Sequence, residues 1–277
     1  MGLLTDMVHS STARVAAARA RVPDAALREV ALARPAPPQL SLAPGGFDVI
    51  AELKLRSPSM GDLSAATGDP LERLAGYAAG GAAVCSILTE PTRFDGELAH
   101  LERAASVLAP LGVPAMRKDF LVDPYQLLEA RAAGASGVLL IVRMLERERL
   151  AAMLDTAAAL ELFVLLEAFD AGDLAVAREI AGARAGVDEQ VLLGLNCRDL
   201  ETLAIDPARF ERLRDALPER WPAVAESGVQ SAGDAAHVAA LGYRLALVGT
   251  SLMQRADAAG AVRELVEAGR DAAGARR

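Results

Sequence analysis

From residue 47 onward the chain repeats one pattern of apolar and polar positions eight times. Short apolar runs with little alternation occupy 47–53, 82–89, 114–120, 137–142, 162–168, 191–196, 222–228 and 245–251. Between them, at 70–79, 98–108, 124–133, 146–160, 171–181, 207–217 and 232–241, apolar residues recur every three or four positions. The first pattern predicts strands and the second predicts amphipathic helices. Continuous apolar runs suit parallel strands buried on both faces. Asp69, Asp123, Asp170, Asp206 and Ser231 stand where N-caps belong, and Gly134 and Gly242 stand where helices close. Eight such units predict an α/β fold, a single (β/α)8 TIM barrel. An open doubly wound sheet would carry a Gly-rich phosphate loop after its first strand. Here that strand runs into Lys54-Leu55-Arg56-Ser57-Pro58-Ser59 instead.

The region before the barrel reads differently. Helical patterns at 5–21 and 25–32 are followed by a Pro-rich connector at 35–38. This predicts an N-terminal helical extension, residues 1–46, packed over the bottom of a catalytic barrel formed by 47–277. The stretch 258–273 supplies the eighth barrel helix.

Composition narrows the function. The chain has 277 residues, is 52% hydrophobic and carries a net charge of -8, which argues against a general nucleic-acid binder. No apolar run approaches the eighteen or so residues of a membrane span, and residues 1–22 lack the apolar core of a signal peptide. A soluble cytoplasmic protein is expected, without a membrane partner. Cys85 and Cys197 lie in apolar segments without metal-ligand spacing, so neither a disulfide nor a structural metal is expected. The histidines His9, His100 and His237 fall in helical stretches away from strand ends.

The basic residues are more informative. Only two of the 29 are lysines, Lys54 and Lys118. A chain that uses arginine for generic charge has kept two compact ammonium groups, whose pKa can be tuned where that of a guanidinium cannot. Both fall at the C-terminal ends of predicted strands, where barrel enzymes place their chemistry. Glu52, Glu167, Asn196, Arg198 and Glu226 fall there too. Strand alternation puts Glu52 beside Lys54 and Lys118 beside Phe120. A ring of three carboxylates, two lysines and an arginine has little structural rationale, because buried charges stabilise poorly. The last two strands end in Glu226-Ser227-Gly228 and Gly249-Thr250-Ser251, whose small residues expose backbone N–H groups where barrels often bind phosphate. The ligand expected is a small anionic sugar phosphate.

At these positions the sequence resembles the indole-3-glycerol phosphate synthase family. The resemblance rests on Glu52-Leu53-Lys54 with Ser57-Pro58-Ser59, Ser86-Ile87-Leu88-Thr89 and Arg117-Lys118-Asp119-Phe120. It continues with Asp123-Pro124-Tyr125-Gln126, Gly194-Leu195-Asn196 with Arg198-Asp199-Leu200, Glu226-Ser227-Gly228 and Val248-Gly249 with Ser251-Leu252-Met253. These occur in the family's order across 47–253. The resemblance implies a lyase of tryptophan biosynthesis, which closes a ring in 1-(2-carboxyphenylamino)-1-deoxyribulose 5-phosphate with loss of carbon dioxide and water. It implies Lys118 as general acid and Glu167 as its partner in dehydration, with Lys54 and Glu52 assisting. Asn196, Arg198 and Glu226 would orient the anthranilate moiety, and Phe120 would pack on its ring. Ser57, Ser227, Gly228, Gly249 and Thr250 would line the substrate and phosphate site. No cofactor or metal is implied, and a monomer or weak homodimer is expected. Met60, Glu97, Phe169 and Cys197 depart from the family's usual residues. Two other phosphate-binding barrels compete, phosphoribosylanthranilate isomerase and the tryptophan synthase α subunit, but the first would rely on a strand-one cysteine that this chain lacks. A non-catalytic descendant would be expected to lose its charged cluster first.

Overall fold

The computed structural model describes residues 2–44, 46–57, 61–62, 68–184 and 190–275, with the side chains of Ser57 and Asp62 outside that description. Eight parallel strands close a barrel: β1 (Asp48–Leu53), β2 (Val84–Leu88), β3 (Ala115–Lys118), β4 (Gly137–Ile141), β5 (Phe163–Ala168), β6 (Val191–Asn196), β7 (Ala223–Glu226) and β8 (Leu245–Val248). β1 pairs with both β2 and β8, which completes the cylinder. Each strand falls within its predicted run, shortened by a residue or more at most ends.

The period-two alternation decides which side chains meet. Ile50, Val84, Met116, Leu139, Leu165, Leu192, Val224 and Leu245 form an interior cluster. Their neighbours Val49, Cys85, Ala115, Val138, Val164 and Leu193 pack outward against the helices. Continuing the inward set by two or four residues reaches Glu52, Lys118, Glu167, Asn196 and Glu226. The hydrophobic floor and the polar rim are therefore one parity of the same strands.

The predicted caps stand at helix ends. Asp69, Asp123, Asp170 and Ser231 each accept a hydrogen bond from an N–H of the first helical turn. Gly134 and Gly242 take positive φ, of 87° and 108°. Asp206 also serves an ion pair: its carbonyl accepts from Arg209 N at 3.1 Å at the helix start while its carboxylate takes the guanidinium of Arg212, and the stretch predicted at 207–217 breaks at Leu213 into a short helix and a 3-10 turn. Asp257, not singled out from the sequence, caps Ala258–Gly274.

The N-terminal extension corrects an expectation. Helix α1 (Leu3–Arg21) packs at the C-terminal mouth and does not cover the bottom. Its Met7 joins the interior cluster with Phe120 and Phe169, and Ser11 Oγ donates to the Phe120 carbonyl at 2.5 Å. Helix α2 (Asp24–Ala33) leads to the Pro-rich connector, and the segment that follows it reaches the bottom. There Leu40 and Leu42 pack against the interior cluster, and Asp48 accepts from Ala43 N at 2.8 Å and from Arg270 at 2.8 Å.

Candidate active site

A cavity of about 390 Å³ opens at the mouth. Its floor is the polar end of the inward parity: Glu52, Lys54, Lys118, Glu167, Asn196 and Glu226 all line it. Lys54 Nζ lies 2.8 Å from Glu52 Oε1, and Lys118 Nζ lies 3.7 Å from Glu167 Oε2. Asn196 Nδ2 donates to Glu167 Oε1 at 3.1 Å, and Asn196 Oδ1 accepts the Arg198 N–H at 2.9 Å. The two lysines of the chain thus face the same cavity, each against a carboxylate.

Electrostatics follow from this packing. Burial would lower the Lys118 pKa, but the carboxylates of Glu167, Glu52 and Glu226 outweigh it and hold the ammonium above its ordinary value. The charges closest to it are acidic, so Lys118 is a protonated donor in the free protein. Glu52 is pushed up by burial but is held below its ordinary value by Lys54, Lys118 and Arg198. Glu226 moves the other way: burial and the Glu167 carboxylate raise it well above the usual carboxylate range, against the pull of Lys118.

The walls divide into an apolar and a polar side. Phe94, Phe120, Leu139, Ile141, Leu200 and Leu203 line one part, with Phe94 and Phe120 in tilted contact at 6.4 Å between ring centres. Ser227, Gly249, Thr250 and Ser251 line another. Ser227 adopts φ of 72°, a sparsely populated conformation for a residue with a side chain, as strained backbones at functional sites often do. Ser251 Oγ is buried without a hydrogen-bond partner. Gly249 leaves room for the lysine–glutamate pair: a Cβ there would sit 2.3 Å from Glu52 Oε1 and 2.9 Å from Lys54 Cε, so the ends of both side chains would have to move.

One predicted site residue falls elsewhere. Gly228 does not line the cavity; a Cβ there would meet Phe210 and Cys197, in the layer outside the barrel. Ser57 pairs through its backbone with Gly61 in a short hairpin, but its side chain, like Met60, lies outside the described residues. The sequence reading missed Leu3 and Phe94, which reach the cavity from α1 and from the loop after β2. Neither lies on a strand, so parity gave no signal for them. Of the departures, Phe169 is buried beneath the Arg143 guanidinium, Cys197 is buried, and Glu97 precedes the helix Leu98–Leu108.

The comparisons with known proteins decide the kinship. The model of the family "Indole-3-glycerol phosphate synthase" matches residues 4–265. The chain belongs to the indole-3-glycerol phosphate synthase family. A synthase of that name from Leifsonia xyli is 44% identical over 91% of this chain and 93% of its own length. An indole-3-glycerol phosphate synthase 1 from Streptomyces coelicolor is 42% identical over 97% and 96%. Among solved structures, a 3-hexulose-6-phosphate synthase from Salmonella typhimurium superposes with a TM-score of 0.60 at 13% identity, covering 80% of this chain and 98% of that one. A thiamine phosphate pyrophosphorylase from Pyrococcus furiosus gives 0.59 at 14%, covering 82% and 97%. At such identities these two share the barrel fold alone. No helix among the described residues is long and apolar enough to cross a membrane.

Proposed function

We propose that this chain is a carboxy-lyase of tryptophan biosynthesis, converting 1-(2-carboxyphenylamino)-1-deoxyribulose 5-phosphate to indole-3-glycerol phosphate. The observation that carries the reading is the convergence of both lysines and all three strand-end glutamates on one cavity. The apolar wall around Phe94 and Phe120 suits the aromatic ring of such a substrate. The wall of Ser227, Gly249, Thr250 and Ser251, with an unpartnered hydroxyl, suits its phosphate.

Within this reading Lys118 is the general acid. Ring closure turns the ribulose carbonyl into a hydroxyl, so its oxygen must gain a proton, and an ammonium kept charged by the carboxylates of Glu167 and Glu52 is aimed into the cavity to give it. The ring carbon regains its electrons as carbon dioxide leaves, a step favoured by a dry, preorganised site. Glu167, fixed by Asn196 and adjoining Lys118, serves the later loss of water, accepting the proton lost from the newly closed ring while the Lys54 ammonium in the same cavity gives its proton to the departing hydroxyl. Lys54, held by Glu52, supplies a second cation for the substrate carboxylate, and Arg198 stands on the rim for the same purpose.

The test is direct. Purified protein incubated with the anthranilate ribulose phosphate is expected to generate indole fluorescence and carbon dioxide in equal amounts. Absence of both at micromolar enzyme would overturn the assignment.

A further inference from the structure

Glu226 stands apart from the other acids of the ring. Lys54 takes Glu52 and Lys118 takes Glu167, while neither oxygen of Glu226 accepts a hydrogen bond and no described cation forms an ion pair with it. The residue is 1% exposed. An ionised carboxylate in that position would be desolvated without compensation, which is costly enough that such groups bind a proton instead. Its neighbours enforce this from every side. Glu167 on β5 and Glu52 on β1 are acidic, Leu247 on β8 is apolar and in register with it, Asn196 on β6 already gives its amide to Glu167, and only Lys118 on β3 opposes.

The place it occupies is made by a missing side chain. Gly194 of β6 is in register with Glu167 on one side, and a Cβ at Gly194 would lie 1.9 Å from Glu226 Oε1. Gly194 faces inward by strand parity, between the interior residue Leu192 and Asn196. Its φ is not positive, so backbone conformation does not explain the glycine.

We infer that Gly194 is a positioning residue: by omitting a side chain it seats the Glu226 carboxyl, as the neutral acid, against β6 beside Glu167. The inference rests on the proposed function for its kinetic meaning only. With Glu226 neutral, Glu52 and Glu167 face Lys54, Lys118 and Arg198, and these five groups sum to one net positive charge for an anionic substrate, while Asp119, which also lines the cavity, is paired with Arg14 and Arg117. The Glu226 O–H then has Glu167 as its acceptor, which completes the hydrogen bonding that Asn196 begins.

Two measurements test this. The first needs no substrate: the melting temperature of Glu226→Gln is compared with that of the wild type from pH 4.5 to 8. A carboxyl that keeps its proton in the folded chain but loses it in the unfolded chain makes folding weaker as pH rises through and above the ordinary carboxyl range. Gln has no such dependence, so the variant's stability relative to wild type is expected to climb with pH. A flat or falling difference overturns the neutral carboxyl. The second is a double-mutant cycle in turnover. Gly194→Ala is expected to lower kcat about 10²-fold, the scale of an ångström's misplacement, with KM changed far less. In a Glu226→Ala background, which removes the closest contact and leaves only the 3.1 Å approach to Leu165 Cδ1, the same glycine substitution is expected to change kcat by less than about threefold, whereas additive losses overturn the seat. If Gly194→Ala alone does not fold, the melting temperatures carry the cycle: the double variant is expected to match Glu226→Ala, and an equal loss in both backgrounds overturns the seat. A wild type that lacks turnover would sink the proposed function without touching either stability result.

Discussion

Two charge clusters flank the end of β3, one on each side of the strand, and they are built to opposite rules. On the outward side, Asp119 is saturated. Arg14 of α1 donates to both of its oxygens at 2.9 and 2.7 Å, Thr89 Oγ1 donates at 2.8 Å, Arg117 donates at 3.3 Å and its neighbour Phe120 N donates at 2.8 Å. On the inward side, Lys118 reaches Glu167 only at 3.7 Å, and no nitrogen or hydroxyl donates to Glu167 Oε2 or to either oxygen of Glu226. Both clusters are buried. The satisfied one fixes α1 and the loop after β3 to the barrel. The unsatisfied one keeps its hydrogen-bonding capacity for something that arrives later, which is the signature expected of a reaction site.

The sharpest way to break the inward side is to alter Lys118. Lys118→Arg retains charge but replaces a proton donor with a group too basic to donate. A loss of about 10²–10⁴-fold in kcat is expected, the usual contribution of a general acid. Steady-state turnover at saturating substrate reads it, and near-normal rates would return Lys118 to a binding role. Glu167→Gln is expected to act similarly but more weakly, on kcat more than on KM.

The outward side is broken by Asp119→Asn, which removes the carboxylate shared by Arg14 and Arg117 and leaves Arg117 with Glu129 alone. A stability loss of about 3 kcal/mol is expected, read by denaturant unfolding, with kcat of the remaining folded protein reduced far less than by Lys118→Arg. The pH dependence gives a second reading. Burial would raise the Asp119 carboxyl, but Arg14 and Arg117 outweigh it and hold it below its ordinary value of 3.8. Its contribution is therefore present above that value and is lost as pH falls through the lowered one. The gap between wild type and Asp119→Asn is expected to close in acid, opposite in sign to the behaviour expected of Glu226→Gln. If both variants showed the same slope, the contrast between the clusters would be mistaken.

How much of this was legible beforehand depends on the element carrying it. The inward ring was readable because strand parity is strict: Glu52, Lys118, Glu167, Asn196 and Glu226 lie an even number of residues beyond core positions on their own strands. The pairing of both lysines at one mouth followed from the same rule. The outward cluster was not foreseen, because it joins Arg14 to Asp119 across 105 positions and through a helix whose placement the sequence did not determine. Amphipathic α1 needed an apolar surface, but nothing in its pattern distinguished the bottom of the barrel from the mouth. The sign of the shift at Lys118 was not legible either, since it depends on three acids from three other strands and not on anything local.

A milder intervention adds what the site lacks. Inorganic phosphate is expected to bind beside Ser227, Gly249 and Ser251 and to stabilise the fold by mass action, about 2.7 kcal/mol at a hundredfold excess over Kd. Thermal denaturation across a phosphate series reads this, with sulfate as a second anion and chloride at matched ionic strength as the control. No shift at saturating phosphate would remove the anion site from that wall, and leave the unpartnered Ser251 hydroxyl to be explained by packing.

The smallest expected effect makes the contrast within a single stretch of chain. Ser86 and Thr89 are both buried hydroxyls of the β2 segment, but Ser86 lies on the inward parity without a hydrogen-bond partner while Thr89 lies in the outward cluster. Thr89 donates to Asp119 and accepts from Arg117 Nε at 3.1 Å, so Thr89→Val removes two bonds to charged groups and is expected to destabilise by about 2 kcal/mol. Ser86→Ala removes a hydroxyl that no protein group satisfies, and is expected to leave stability within about 0.5 kcal/mol of wild type or slightly higher. The two substitutions delete similar chemistry three residues apart, so unfolding curves that placed them together would show that hydrogen-bond satisfaction is not what separates the two sides of the barrel wall.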